Sequence, residues 1–472
     1  MTDTSEAQSR RITRVVFIAL LLDILSFTII LPLLPRSLEA YTAREGADAS
    51  TLLGSLLHII SHWRQRIQER SSSRFLQQGA RADLVLLGGL LGSLYSLLQC
   101  LVAPLIGRAA DRFGRRRTLM LCMLGNVVWT VVWLYASRFE AFLAARIIAG
   151  LSEGNSQLSN TIIADVTSPA TRSRGMALVG IAFAIGFTLG PSIGAYFARM
   201  PLERADATHA FAYAPFATAA LFSLALLVAE SLYLYICLPE TLHFQKPSTD
   251  NSSGGKATPP ARDDAAARRS AASVLRRLNL LHFAYLFFFS GMEYTLTFLT
   301  NDRFGFTNMQ QGKLLGFIGI ASTLLQGGWV RRIKGQSAHQ DKGLVARGMV
   351  ACALGLLCVA HCALVKSDVA PWTLWAGALG FAVASATVVN CLNSMVSLTQ
   401  HANTSAGRRL GDFRSAGQIG RALGPVFACS VYWLLGPSTC YLIGAVAVAA
   451  ISAVFIALIP AAPAAVSAKK RN

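Results

Sequence analysis

Residues 107–117 read GRAADRFGRRR, a glycine-punctuated stretch with one carboxylate, Asp111, among fixed cations, set between the apolar stretches 84–106 and 118–135. Gly107, Asp111, Arg112, Gly114, Arg115 and Arg116 together suit a short, tight turn between two spanning helices. Its charges can pair across an interface that moves, so the stretch reads as a transporter gate. A topogenic basic loop would explain the arginines by the positive-inside bias. It would not explain the spacing of the glycines and the aspartate.

Outward from this stretch the chain is built for a bilayer. Apolar residues make up 53 % and charged residues 14 % of it, and its mean hydropathy is +0.47, far from soluble-protein averages. Runs of about 18 to 25 apolar residues recur, enough to cross a hydrocarbon core of about 30 Å, and an unpaired backbone in lipid restricts the crossings to helices. About twelve are expected, near 14–35, 84–106, 118–135, 140–165, 175–198, 216–238, 280–300, 313–330, 347–366, 371–399, 411–435 and 439–462. The first run holds Asp23, Pro32 and Pro35 and lacks a small-residue cleavage site, so it is expected to stay as a helix.

The net charge of +19 raises the question of a nucleic-acid partner, which the placement of the cations answers. With the N-terminus inside, the cytoplasmic segments hold about twice as many Lys and Arg as the opposite ones. No nucleic-acid partner is therefore expected, and both termini are expected in the cytoplasm. Arg64, Arg66, Arg70 and Arg74 in the long loop 36–83 do not overturn this, since long loops cross regardless of charge. The nine cysteines have no metal-type spacing and mostly fall within apolar runs, so neither a metal site nor a disulfide framework is implied. Asn251 and Asn403 head glycosylation sequons but fall in segments assigned to the cytoplasm.

Residues 239–279, with KPSTDNSSGGKATPP followed by ARDDAAARRS, turn polar and charged as a solvated linker does. They divide the chain into an N-terminal bundle, 1–238, and a C-terminal bundle, 280–472, of six helices each. Gly186, Leu189, Gly190 and Pro191 recur as Gly420, Leu423, Gly424 and Pro425 at the same spacing and near the same place in each half. This is an internal repeat.

With these residues in view, the chain resembles the major facilitator superfamily along nearly its whole length. The Asp111 stretch matches that family's motif between helices two and three. Arg146 and Gly150 match the R-x-x-x-G of helix four, Gly186, Gly190, Pro191 and Gly194 match the antiporter motif of helix five, and Pro239, Glu240 and Thr241 match the PET after helix six. The stretches 21–35 and 287–313 look like the animal tetracycline-transporter-like branch, which is associated with organic-anion and drug transport. The resemblance implies an all-α polytopic membrane protein of twelve helices in two bundles. Two departures stand out: GGWVRRIKG offers Gly328, Arg331 and Arg332 but no aspartate in the second half, and the helix-five motif ends in Gly194 and Ala195 instead of paired glycines.

Charges at mid-membrane cost about 2.5 to 3.5 kcal/mol on insertion scales, so those that remain should face a cavity or a partner. Asp23, Glu153, Glu230, Glu293 and Arg421 all fall near mid-depth. Asp23 and Glu293 are candidates to couple protons to solute, or static carboxylates that fix packing. Arg421 suits an anionic substrate, which a guanidinium grips with paired hydrogen bonds, or an ion pair with Glu293 or Asp23. The resemblance gives Arg146 a role in proton transfer or charge balance. Glu153 and Asn155 lie in the polar stretch SEGNSQLSN, which should line the cavity. In the gate, Asp111 is expected at the positive end of a neighbouring helix, with Arg112 and Arg115 reaching Asp165. Gly186, Gly190, Pro191 and Gly194 give a small-residue rocking surface. Phe17, Phe27, Tyr285, Phe287, Tyr294 and Phe298 are candidate contacts for a flat solute, or packing residues.

The expected activity is secondary active transport of small organic solutes, organic anions or drug-like molecules such as tetracycline, by alternating access and proton antiport. No phosphate-binding loop is present, so a gradient and not ATP supplies the energy. The partners are the solute, protons and the lipid bilayer. A monomer without cofactor or metal is expected, in the plasma membrane or an intracellular one. A receptor or scaffold on the same fold is the alternative. An enzyme is not expected, since His282 and His361 stand singly and no nucleophile motif appears.

Overall fold

Runs of apolar side chains with few breakers become helices in this protein because a backbone in lipid can satisfy its polar groups only within the segment. The computed structural model describes residues 2–30, 33–69, 79–168, 171–197, 200, 213–244, 262–306, 308–330, 338–365, 370–399 and 405–459. In the first half lie α1 (Thr2–Ile29), α2 (Leu34–Glu45), α3 (Leu52–Gln68), α4 (Ala80–Phe113), α5 (Arg115–Leu134), α6 (Phe139–Ser152), α7 (Asn155–Val166), α8 (Arg172–Phe197) and α9 (Ala217–Cys237). In the second lie α10 (Arg262–Phe304), α11 (Asn308–Leu325), a π-turn at Gln326–Val330, α12 (Ala338–Leu364), α13 (Ala370–Leu398), α14 (Ala406–Leu435) and α15 (Pro437–Leu458).

Taking α6 with α7 as one interrupted crossing, and setting aside α2 and α3, these make twelve crossings in the described residues. Nine of the described helical segments are long and apolar enough to span. The other three crossings, α6 with α7, α10 and α14, carry charges or a break, and they bring Glu153, Glu293, Arg414 and Arg421 to the candidate site.

Each half has its own apolar interior. In the first, α1 packs on α8 and α9, and α5 on α6 and α9; in the second, α12 packs on α13 and α15, and α10 on α14. The halves meet where α14 lies along α4 and α7, and where α8 meets α11 and α13. The repeat has a geometric meaning. A side chain at Gly186, Gly190 or Gly194 would run into Ile24, Thr28 or Ile29 of α1, and one at Gly420 or Gly424 would run into Phe283, Phe287 or Ser290 of α10. The fifth crossing of each half thus presses its glycines on the first crossing of the same half. Leu189 and Leu423, at matching positions, are each 50 % exposed.

Several expectations change. Gly107, Asp111 and Arg112 belong to the last turns of α4, not to a loop; Gly114, at φ +99°, is the residue between α4 and α5. The fourth crossing, expected to be continuous over 140–165, breaks at Glu153 and Gly154. The loop 36–83 contains α2 and α3. α10 begins at Arg262, so the second part of the stretch read as linker is helical. The glycines of α8 form a seam inside the first half, not a surface on which the halves rock, because their neighbour is α1. Arg70, Arg74, Asn251, Arg331, Arg332 and Asn403 lie outside the described residues.

Candidate functional site

The end of the molecule that carries Asp111 is closed by hydrogen bonds between the halves. Helix α14 starts at Ala406 with no capping bond from Ser405, the residue before it. Asp111 of α4 supplies that cap from the other half. Its carboxylate accepts from Gly407 N at 3.2 Å and Arg408 N at 2.8 Å, and from the Ser405 hydroxyl. An anion placed on the exposed amides at a helix start stabilises it by about 0.5–2 kcal/mol. The approach is close because Gly107 faces the Gly407 carbonyl and Gly411 faces the Ala103 carbonyl.

Behind Asp111, Arg115 is fully buried and ties two acids together. Its Nη1 donates to Asp111 Oδ1 at 2.7 Å and its Nε to Asp165 Oδ2 at 2.8 Å. Arg112 does not reach Asp165; it turns outward over the Phe113 ring, 5.3 Å from its centroid. Arg115, the first residue of α5, already occupies the place between Asp111 and Asp165. The PET stretch holds the start of the next helix. Its Glu240 accepts from the backbone amides of Arg115 at 2.8 Å and Arg116 at 3.2 Å, capping α5 from beyond α9. Gly114 is required beside it, by its positive φ and because a side chain there would strike the Glu240 carboxylate. A second tie joins the halves at this end, where Arg172 at the start of α8 donates to Ser397 O of α13 at 3.1 Å.

Deeper in, the break in the fourth crossing holds Glu153 at the junction of the halves. Arg414 of α14 donates to Glu153 Oε1 at 3.3 Å and to Gln99 Oε1 at 3.1 Å. The Tyr95 hydroxyl faces Glu153 Oε2 at 3.5 Å. The Tyr95 ring stacks on Phe27 at 5.6 Å and lies under the Arg146 guanidinium at 4.9 Å. Arg146 is buried, and its Nε and Nη1 have no acceptor among the described residues. Helix interruption is tolerated at such depth only where protein or a wet cavity satisfies the freed backbone.

Asp23 sits beside this set, buried on α1. It accepts from Asn155 Nδ2 at 2.7 Å and Asn126 Nδ2 at 3.4 Å. Glu230 is buried, with one carboxylate oxygen lacking a donor among the described residues.

Glu293 and Arg421 differ from these, since both are exposed. Arg421 follows Arg414 by seven residues, two turns, so it projects on the same side of α14 toward the junction of the halves. No hydrogen-bonded ion pair joins Arg421 and Glu293 among the described residues. Of the six candidate aromatic contacts, Tyr285 and Phe298 are buried in packing, Phe287 packs on Phe427, and Tyr294 is held by Val85 O at 2.9 Å. Phe27 is the one that touches the charged set, through Tyr95.

Arg414, Tyr95 and Gln99 are functional candidates that the sequence did not single out. Arg414 had a signal: it stands one heptad before Arg421, in phase with it. Tyr95 and Gln99 had none, since only the crossing angle of α4 and α14 brings them to Glu153.

Comparison with known proteins fits this architecture. Residues 16–425 match the Major Facilitator Superfamily. The chain is 38 % identical over 448 residues to mouse major facilitator superfamily domain-containing protein 10, covering 92 % of this chain and 90 % of that one. The human protein of the same name is 39 % identical over 447 residues, with the same coverage. The crystal structure of the human organic anion transporter MFSD10 (TETRAN) superposes with a TM-score of 0.76 at 36 % identity, covering 95 % of this chain and 99 % of that one. The proton:xylose symporter XylE shares the fold, with a TM-score of 0.69 at 13 % identity over 97 % of each chain. The chain belongs to the major facilitator superfamily, as an integral multi-pass membrane transporter of its tetracycline-transporter-like branch.

Proposed function

We propose that this protein carries small organic anions across the membrane by alternating access, coupled to the movement of protons, with residues 1–238 and 280–472 as the two rocking halves and both termini in the cytoplasm. The observation that carries the reading is the pairing of Arg414 in the second half with Glu153 in the first, two turns from an exposed Arg421. An anion entering between the halves meets Arg421 first, because that guanidinium has no hydrogen-bonded carboxylate among the described residues. Drawn further, it competes with Glu153 for Arg414.

A carboxylate that loses its guanidinium partner in a low-dielectric site binds a proton. Substrate and proton therefore load together: the anion sits on Arg414 when Glu153 is protonated, and the Glu153 carboxylate returns to Arg414 when both have left, so the two move in the same direction and not in the exchange expected from the sequence. Asp23, held by Asn126 and Asn155, keeps the polar wall in position, and Arg146 on Tyr95 holds the ring against Glu153. The seal at Asp111 must open for release on that side. Support for an anionic cargo comes from the human relative, described as an organic anion transporter.

Proteoliposomes with an imposed pH gradient test this. Uptake of an organic anion, and of tetracycline, should follow the gradient in the wild type, and Glu153→Gln should transport the anion without response to the gradient. Gradient-independent uptake by the wild type removes the proton from the mechanism; no flux of either solute under any gradient removes the cargo class.

A further inference from the structure

Helix α1 starts well before the apolar stretch, so Arg10, Arg11 and Arg14 are fixed on a helix rather than carried on a tail. They line one wall of a groove of about 720 Å³ between the outer faces of α1 and α9, with Tyr233 and Cys237 on the other wall. All three arginines are exposed. Glu6 pairs with Arg10 at 3.0 Å, both side chains about 70 % exposed, which is a weak tie in water. Arg11 and Arg14 have no carboxylate partner among the described residues.

The groove changes character along its length. Below Arg14 its floor is Val15 and Ile18, and Ile18, Leu232 and Ile236 are exposed apolar residues on the outer faces of the same two helices. The cationic part therefore lies where α1 and α9 leave the hydrocarbon, at the end of the molecule sealed by Asp111. Guanidiniums at spacings of three and four residues stand about one turn apart on one helix face, a separation that lets two of them grip one phosphate group or two neighbouring ones in paired hydrogen bonds.

We infer that this groove binds the headgroup of an anionic phospholipid bearing phosphomonoesters, with an acyl chain lying on Val15 and Ile18. A free anion would use the arginines alone, whereas the apolar floor continuous with the cationic wall suits a molecule with both parts. The site is on the outside of the first half, away from the space that holds Glu153 and Arg414, so it does not depend on the nature of the transported solute.

The test is lipid retention by the full-length purified protein, followed by native mass spectrometry and by thermal unfolding in micelles of phosphatidylcholine with and without phosphatidylinositol bisphosphate. Wild type should bind the bisphosphate lipid, and Arg11→Gln with Arg14→Gln should weaken it by about tenfold or more. Cys237→Trp keeps every charge and fills the groove; it should weaken binding similarly while unfolding normally in phosphatidylcholine alone. Soluble inositol trisphosphate should bind far more weakly than the lipid. Equal retention by wild type and both variants overturns the inference, as does inositol trisphosphate binding as tightly as the lipid.

Discussion

Arg414 and Arg421 stand two turns apart on one side of α14, in the same kind of helix and facing the same opposite half, yet they are held in opposite ways. Arg414 is enclosed, bonded to Glu153 and Gln99 of the first half. Arg421 is exposed, as is Glu293 on α10, and no hydrogen bond joins them among the described residues. The difference follows from where the halves touch. Arg414 lies toward the end where Gly107 meets Gly407 and Ala103 meets Gly411, so the backbones approach closely and side chains can bridge. Two turns on, about 10 Å along the axis, Arg421 is exposed and no such bridge to the first half is found among the described residues. One helix thus offers both a latch and a landing point for an anion.

Breaking the latch should have the largest effect. Arg414→Ala leaves Glu153 enclosed without its cation, and losing one partner of a buried pair costs about 3–5 kcal/mol. Organic-anion flux in proteoliposomes should fall by at least about a hundredfold. Exchanging the charges, Glu153→Arg with Arg414→Glu, should restore the bridge and part of the protein's thermal stability without restoring flux. If Arg414→Ala transports normally, Arg414 is no latch and the contrast with Arg421 has no functional content.

The seal comes next. Asp111→Asn keeps the size of the side chain and removes the charge that caps α14 and pairs with Arg115. A cap and a helix-end charge together are worth about 1–2 kcal/mol. Transport should slow by about tenfold, and a cysteine introduced at Ser415 should become more reactive from the Asp111 side as closure weakens. Unchanged labelling would mean that the Arg172 tie to Ser397 alone holds that end shut. A smaller change is expected at the landing point: Arg421→Ala should raise the KM for an organic anion about tenfold, the worth of about 1.4 kcal/mol, with the maximal rate retained. If the rate falls and KM stays fixed, Arg421 acts with Arg414 rather than before it.

The contrast between the two arginines was half legible in the sequence. Arg421 stood out because a guanidinium at the middle of an apolar run needs a reason. Arg414 fell close to the expected helix start, where a cation usually meets headgroups and water. Helix α14 begins at Ala406, five residues before the expected 411, and so carries Arg414 deeper. The repeat and the order of motifs likewise pointed to the fold, because glycine spacing and apolar length are properties of single helices. Tyr95 beside Glu153, or Asp111 above Gly407, depends on how two distant helices cross, which local spacing does not encode. Arg112 shows the same limit: a loop lets either arginine reach Asp165, whereas α4 ends with Arg112 turned outward and α5 begins with Arg115 turned inward.

The repeat offers the finest comparison between the halves. Gly190 faces the Thr28 hydroxyl of α1, and Gly424 faces the Phe287 carbonyl of α10. Thr28 can turn, at the expense of its hydrogen bonds to Ile24 O at 2.7 Å and Gly186 O at 2.9 Å. The Phe287 carbonyl cannot turn without disturbing its helix. Gly424→Ala should therefore destabilise by about 1–3 kcal/mol, as overpacking of a tight seam does, and Gly190→Ala by about 1 kcal/mol less. Thermal unfolding in one detergent would rank them. The opposite ranking would mean that α14 can slide off α10 more easily than α8 off α1, placing the looser seam in the half that carries both arginines. The order of the two midpoints thus reports which half deforms when the protein changes its open side.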